Sequence, residues 1–451
     1  MKNKKKQYLF TAIGMVMAFF CCGCVQKESR EPEPVQWESV QQESLQKNSA
    51  ETEMALEQVP ETVIAIDSDD SSGAAHYLEM MTLEEKVAQL FVVVPEALVN
   101  AAGEHAVDQV TAAGERTKEA LQEYPVGGLI YMGNNLISAE QTTSMLRDVQ
   151  EFSMDISGLP LFLCVDEEGG TVARISGKEG FDIPAIVDMA EIGKMQDAGT
   201  AKGNLGETVG ETAGETVGET AYKTAYETGV QIGAYLSDLG FNLDFAPVAD
   251  VWSNPENTVV KRRSFGSDAA IVSNLALALS DGLTSQGVCS TFKHFPGHGA
   301  TAGDTHEGYA YTSKTLEELR ACELVPFQAA VDAGADFIMA GHISLPEILG
   351  DSTPASLSSE MLTGVLREEM GYDGIIVTDA LNMGAVVQHY TSAEAAVKAL
   401  QAGADLLLMP ENFEEAYQGV LAAAEDGRIS QERIDASVRR ILEVKLRMRL
   451  E

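Results

Sequence analysis

The chain has 451 residues, 45% of them hydrophobic and 22% charged, with 69 acidic against 31 basic residues and a formal charge of −38. That balance argues against a nucleic-acid partner, because displacing counterions from phosphates takes Lys and Arg. The length allows one to three domains, and the apolar share is enough for a sizeable core.

The first residues have the layout of an export signal. Met1–Lys6 is basic, and Tyr8–Phe20 is apolar but short for a membrane span. The segment ends in Cys21-Cys-Gly-Cys24, whose Gly23-Cys24 resembles the end of a bacterial lipobox, with Cys21 replacing the usual Leu. Lipidation at Cys24 is the expected outcome, with plain secretion or an uncleaved anchor as alternatives. Either way the expected location is outside the cytoplasm, on the outer face of the cell membrane if Cys24 is lipidated. Residues 25–75 are rich in Glu, Gln and Ser and poor in aromatics, the composition of a disordered tether. Beyond the signal, Cys164, Cys289 and Cys322 make no disulfide framework, and Cys164 and Cys289 fall in apolar runs as buried thiols.

From about Ala75 onward, short apolar runs alternate with helical stretches. The runs are 89–94, 127–132, 160–165, 241–246, 288–292, 335–340, 374–378 and 404–409. Eight short, continuously apolar strands separated by helices predict a parallel sheet covered on both faces, a single (β/α)8 barrel over residues 76–451. Thr82 with Glu85 has capping-box spacing, and the amphipathic stretch beginning at Ser430 closes the chain. Residues 206–229 carry a Gly-Glu-Thr repeat of period four, which a helix can accommodate at a cost of about 1 kcal/mol per Gly. It reads as an expansion at the start of a barrel helix.

The polar residues gather at strand ends. Asp166 follows the third strand, Asp244 and Asp250 flank the end of the fourth, and Lys293 and His294 follow the fifth. His342 follows the sixth and Asp379 the seventh. In a (β/α)8 barrel this rim carries the active site. Several Asp with Lys and Arg suit a polyhydroxylated ligand such as a sugar. Cleaving a glycosidic bond needs a carboxylate under the ring and a proton donor at the leaving oxygen. Asp379 meets the first need. The Gly- and Pro-rich loop after His294 offers Asp304 and His306, a carboxylate two residues from an imidazole that titrates near neutrality.

The stretch Lys293-His-Phe-Pro-Gly-His-Gly-Ala-Thr-Ala-Gly-Asp-Thr-His306 closely resembles the signature of family 3 glycoside hydrolases of the β-N-acetylhexosaminidase type. The resemblance extends to Val165–Arg174, Leu243–Val251, Arg263–Asp268 and Val377–Ala380, in the family's order. It implies a retaining exo-β-N-acetylglucosaminidase. Asp379 then matches the nucleophile, His306 the general acid/base and Asp304 its partner. Asp166, Arg174, Arg263, Lys293 and His294 match residues that hold the sugar. It implies no cofactor and no metal. The expected partners are β-GlcNAc glycans or muropeptides, with a membrane anchor through Cys24 and a monomeric protein. Thr305 stands where Ser is common. Lys261-Arg262-Arg263 is more basic than usual, which leaves Arg262 as a competitor for Arg263. His298 is expected to support the loop. Competing readings are a β-glucosidase or β-xylosidase, an inactive glycan-binding lipoprotein, and a metal hydrolase using His294, His298, His306 and His342.

Overall fold

The computed structural model describes residues 70–103, 106–200, 217–303 and 310–448. Cys24 and the signal, the tether as far as residue 69, the repeat up to residue 216, and Asp304, Thr305 and His306 lie outside the described residues.

All eight expected runs hold strands of one parallel sheet. They are β1 (Phe91–Val93), β2 (Gly128–Ile130), β3 (Phe162–Val165), β4 (Leu243–Asp244), β5 (Cys289–Phe295), β7 (Phe337–Ala340), β9 (Ile375–Thr378) and β10 (Leu407–Leu408). Their order is β10-β1-β2-β3-β4-β5-β7-β9. A parallel bridge from Val377 to Leu406 joins the two ends. There the Thr378 N–H donates to the Leu406 carbonyl at 3.0 Å, and the ring of strands is closed. Two further short strands, β6 (Ala310–Tyr311) and β8 (Ile343–Ser344), pair with each other above the barrel.

Helices form where caps and apolar stripes agree. Thr82 and Glu85 make the expected capping box, with Glu85 N–H donating to Thr82 Oγ1 at 3.2 Å and Thr82 N–H to Glu85 Oε2 at 2.8 Å. The last helix, Gln431–Arg447, buries Ile434, Val438, Ile441 and Leu442 and is capped by Ser430. The helix Val217–Leu239 carries the C-terminal part of the repeat. The helix Asp70–Met80 begins inside the stretch read from composition as tether. Cys164 is buried, while Cys289 is only half-buried, a correction to its expected burial.

At the N-terminal ends of the strands, the Phe162 and Phe337 rings meet edge to face at 5.4 Å. Lys445, from the last helix, is buried over the Phe162 ring and donates to Gln89 Oε1 at 2.8 Å. This apolar floor leaves the opposite end of the barrel for polar groups.

Candidate active site

Asp166, Arg174, Arg263, Lys293, His294 and Asp379 line one pocket of about 320 Å³, together with Glu168 and His298. It opens at the C-terminal ends of the strands. Met132, Met339, Met383 and Met409 form part of its apolar wall.

Lys293 and His294 are not beyond the fifth strand, as expected, but inside it. The apolar-run rule ends a strand at the first charge, whereas β5 continues through Phe295. Its register against β7 slips there, with Lys293 opposite Met339 and Phe295 opposite Ala340. In a regular strand adjacent side chains point to opposite faces. An irregularity of this kind re-aims side chains, and both Lys293 and His294 reach the pocket.

A chain of alternating charges runs around the wall. Arg174 lies 3.7 Å from Asp166, and Lys293 pairs with Asp166 at 2.9 Å and with Glu168 at 2.6 Å. Glu168 takes two hydrogen bonds from Arg263, both at 2.7 Å. Arg263 Nη2 lies 3.3 Å from His294 Nε2, and His294 Nδ1 lies 2.7 Å from Asp250 Oδ2. Burial alone would push the Glu168 carboxyl up; Arg263 and Lys293 outweigh it and hold it well below the usual carboxylate range. Burial would likewise lower the Lys293 ammonium, but Asp166 and Glu168 raise it. Glu168 and Lys293 therefore each owe their charge to their neighbours.

Asp379 follows β9. Its own N–H donates to the Ala340 carbonyl, and Oδ1 accepts from the Ala380 N–H, both at 2.8 Å. Burial pushes its carboxyl up, but His294, His342, the Ala380 N–H and Lys293 together hold it below its ordinary value. His342 does not line the pocket. Its Nε2 lies 2.9 Å from the Ala380 carbonyl and its Nδ1 2.7 Å from Ser356 Oγ, so Nε2 carries the proton and Nδ1 accepts. Burial lowers the His342 imidazole beneath Asp379.

Asp250 is buried behind His294 and accepts from the N–H groups of His294 and His298 at 3.1 and 2.6 Å. Asp244 is buried below the site, and burial raises its carboxyl well above the usual range. Arg262 points outward to Asp188 at 2.6 Å, with its side chain 63% exposed against 13% for Arg263. The choice between the two arginines therefore falls on Arg263.

Two residues of the site escaped sequence reasoning. Glu168 is the carboxylate between Arg263 and Lys293. Glu167 is buried and accepts from the N–H groups of Arg174, Ile175 and Ser176 and from the Tyr235 hydroxyl. It folds the loop after β3 back so that Arg174 returns to the pocket. Gly170, at φ +56, lets that loop turn: a Cβ there would lie 2.2 Å from Asp188 Oδ1. The available signal was the run Asp166-Glu-Glu-Gly-Gly170, since three adjacent acids at a strand end need partners.

A closed parallel barrel with a charged, carboxylate-bearing pocket at its C-terminal rim defines a sugar-processing (β/α)8 protein. The family model described as "Glycosyl hydrolase family 3 N terminal domain" matches residues 82–444, and the chain belongs to that family. It is 31% identical to Beta-hexosaminidase A of Pseudoalteromonas piscicida over 75% of this chain and 56% of that protein. It is 33% identical to Beta-hexosaminidase LpqI of Mycobacterium tuberculosis over 64% of this chain and 68% of that protein. Among solved structures, a family 3 beta-N-acetylglucosaminidase from Paenibacillus sp. superposes with a TM-score of 0.69 at 35% identity, covering 82% of this chain and 63% of that one. The chain thus spans less than two thirds of the length of two of these three relatives.

Proposed function

We propose that the protein is a retaining exo-β-N-acetylglucosaminidase that removes terminal β-linked N-acetylhexosamine from peptidoglycan fragments or related glycans. The observation that carries this reading is the meeting of Asp379 with the Arg174-to-His294 charge chain in one pocket. A sugar has hydroxyls that both donate and accept and a ring face that is apolar. The alternating charges suit the first and the methionine wall suits the second.

In this mechanism Asp379 attacks C1 while His306, backed by Asp304, protonates the leaving oxygen. Water activated by His306 then releases the sugar with its β configuration kept. Asp379 is suited to the nucleophile's role because its neighbours keep the carboxyl ionised despite burial. Asp166, Arg174, Arg263, Lys293 and His294 hold the sugar hydroxyls. The relatives named beta-hexosaminidase support the choice of sugar.

The test is cleavage of an aryl β-GlcNAc substrate with the product anomer followed by NMR. The wild type gives β product first, and Asp379→Asn loses about 10³-fold or more of kcat. An Asp379→Asn protein at wild-type rate, or an α first product, sinks the assignment. We further propose export and anchoring through Cys24, with residues 76–451 as one catalytic domain acting as a monomer. Mass spectrometry of the mature N-terminus tests the anchor, and an unmodified Cys24 in membrane fractions would refute it.

A further inference from the structure

Glu323 lies between the helices Leu316–Ala321 and Val325–Asp332 and is fully buried. Its Oε1 accepts from Ser253 Oγ at 2.5 Å and pairs with Lys314 Nζ. Its Oε2 is buried without a hydrogen-bond partner among the described residues. Ser253 belongs to the loop after β4, and Lys314 to the chain leaving β6. The third neighbour is Gly297, at φ +127, where an added Cβ would lie 2.6 Å from Glu323 Cβ.

One side chain therefore touches the polypeptide just before residue 298 and just after residue 313. Between these points Ala302 and Tyr311 exchange N–H···O bonds of 2.9 and 3.1 Å, so the chain returns close to where it left. Asn254 and Asn257 secure the first stem, donating to the Thr301 carbonyl at 2.9 Å and the His298 carbonyl at 2.9 Å.

Stability alone is a poor reason for a carboxylate here. Removing two opposite charges from water costs more than an apolar pair of similar volume, and an oxygen without a partner adds to that cost. What the carboxylate supplies is direction. It ties a hydroxyl from the β4 loop and an ammonium from the outgoing stem to one point, against the backbone of the incoming stem.

We infer that Glu323 is a positioning residue that sets the spacing of the two stems of the loop carrying Asp304 and His306, and so the placement of the proton donor. It touches neither the sugar nor the reacting atoms. The inference rests on the reading of His306 as general acid.

The experiment uses the full chain and two substrates, an aryl β-GlcNAc with a good leaving group and chitobiose, which needs its leaving oxygen protonated. Glu323→Gln and Lys314→Met are each expected to lower kcat/KM on chitobiose about tenfold or more, and on the aryl substrate less than about threefold. The inhibition constant for free GlcNAc stays unchanged, because the sugar-holding residues are untouched. The double variant loses no more than the worse single one, as coupled partners should. Equal losses on both substrates with a lower Tm would make Glu323 simple structural support and overturn the inference, as would no loss on either. Should Glu323→Gln fail to fold, Lys314→Met gives the same decision from the partly exposed end of the pair. A wild type inactive on both substrates would sink the proposed function instead.

Discussion

Asp250 Oδ2 lies 2.7 Å from Nδ1 of His294, and Asp250 Oδ1 accepts from the backbone N–H of the same residue at 3.1 Å. Ring and main chain of His294 are thus held by one carboxylate. Arg263 Nη2 donates toward Nε2 at 3.3 Å, which places the imidazole proton on Nδ1 and leaves Nε2 an acceptor. Asp250→Asn retains the shape but offers an amide where a carboxylate stood. It should cost about tenfold or more in kcat/KM through the wrong tautomer. Steady-state kinetics on the aryl substrate checks this, with circular dichroism to confirm folding.

The two neighbouring arginines should separate cleanly. Arg262→Ala removes an exposed guanidinium from the largely buried Asp188 carboxylate and should cost about 1–3 kcal/mol of stability, with little effect on KM. Arg263→Ala strips Glu168 of a bidentate partner inside the pocket and should raise KM strongly. Comparable kinetics for the two variants would contradict the placement.

Glu168→Ala leaves Lys293 and Arg263 short of a shared counter-charge, both of them in or beside the pocket wall. Breaking a buried pair from one side typically costs about 3–5 kcal/mol. Urea denaturation should show a lower midpoint, and activity at temperatures well below the transition should fall as well.

Two pH windows follow from burial. His298 and His342 both sit below the ordinary imidazole range because burial penalises their charged form. The unfolded chain binds those protons more readily, so their contribution is fully present above about pH 6.5 and is lost as pH falls through the folded values. Burial lowers the Lys445 ammonium to about 7. Between about pH 7 and 10.5 the unfolded chain holds a proton that the folded one has shed, so stability should climb with pH across that range. Lys445→Met should flatten the climb, as followed by Tm at fixed ionic strength.

Much of this architecture was legible because parallel strands buried on both faces are short apolar runs, and all eight were visible as such. β6 and β8 were not, since two residues paired between loops leave no periodic trace. The cap at Thr82 was readable because its partner is three residues away. The role of Glu168 was not, because its partners arrive from far along the chain, Arg263 being 95 positions beyond it. That of Glu167 was not, because the groups it holds are mainly backbone N–H of a nearby irregular loop, which residue type does not reveal. Lys293 and His294 were recognised as site residues yet placed after their strand, because the register slip within β5 has no signature in residue type.

The alternation from Arg174 to Asp250 has one more consequence. From Arg174 through Asp166, Lys293 and Glu168 to Arg263 each charge already faces an opposite one, and His294 links that series to Asp250 by hydrogen bonds, so the local field exists before any sugar enters. A neutral guest then meets dipoles that need little turning, and reorganisation, the usual toll of polar solvents, is small. Affinity for an uncharged sugar should accordingly depend little on ionic strength, in spite of the formal charge of −38 carried by the whole chain.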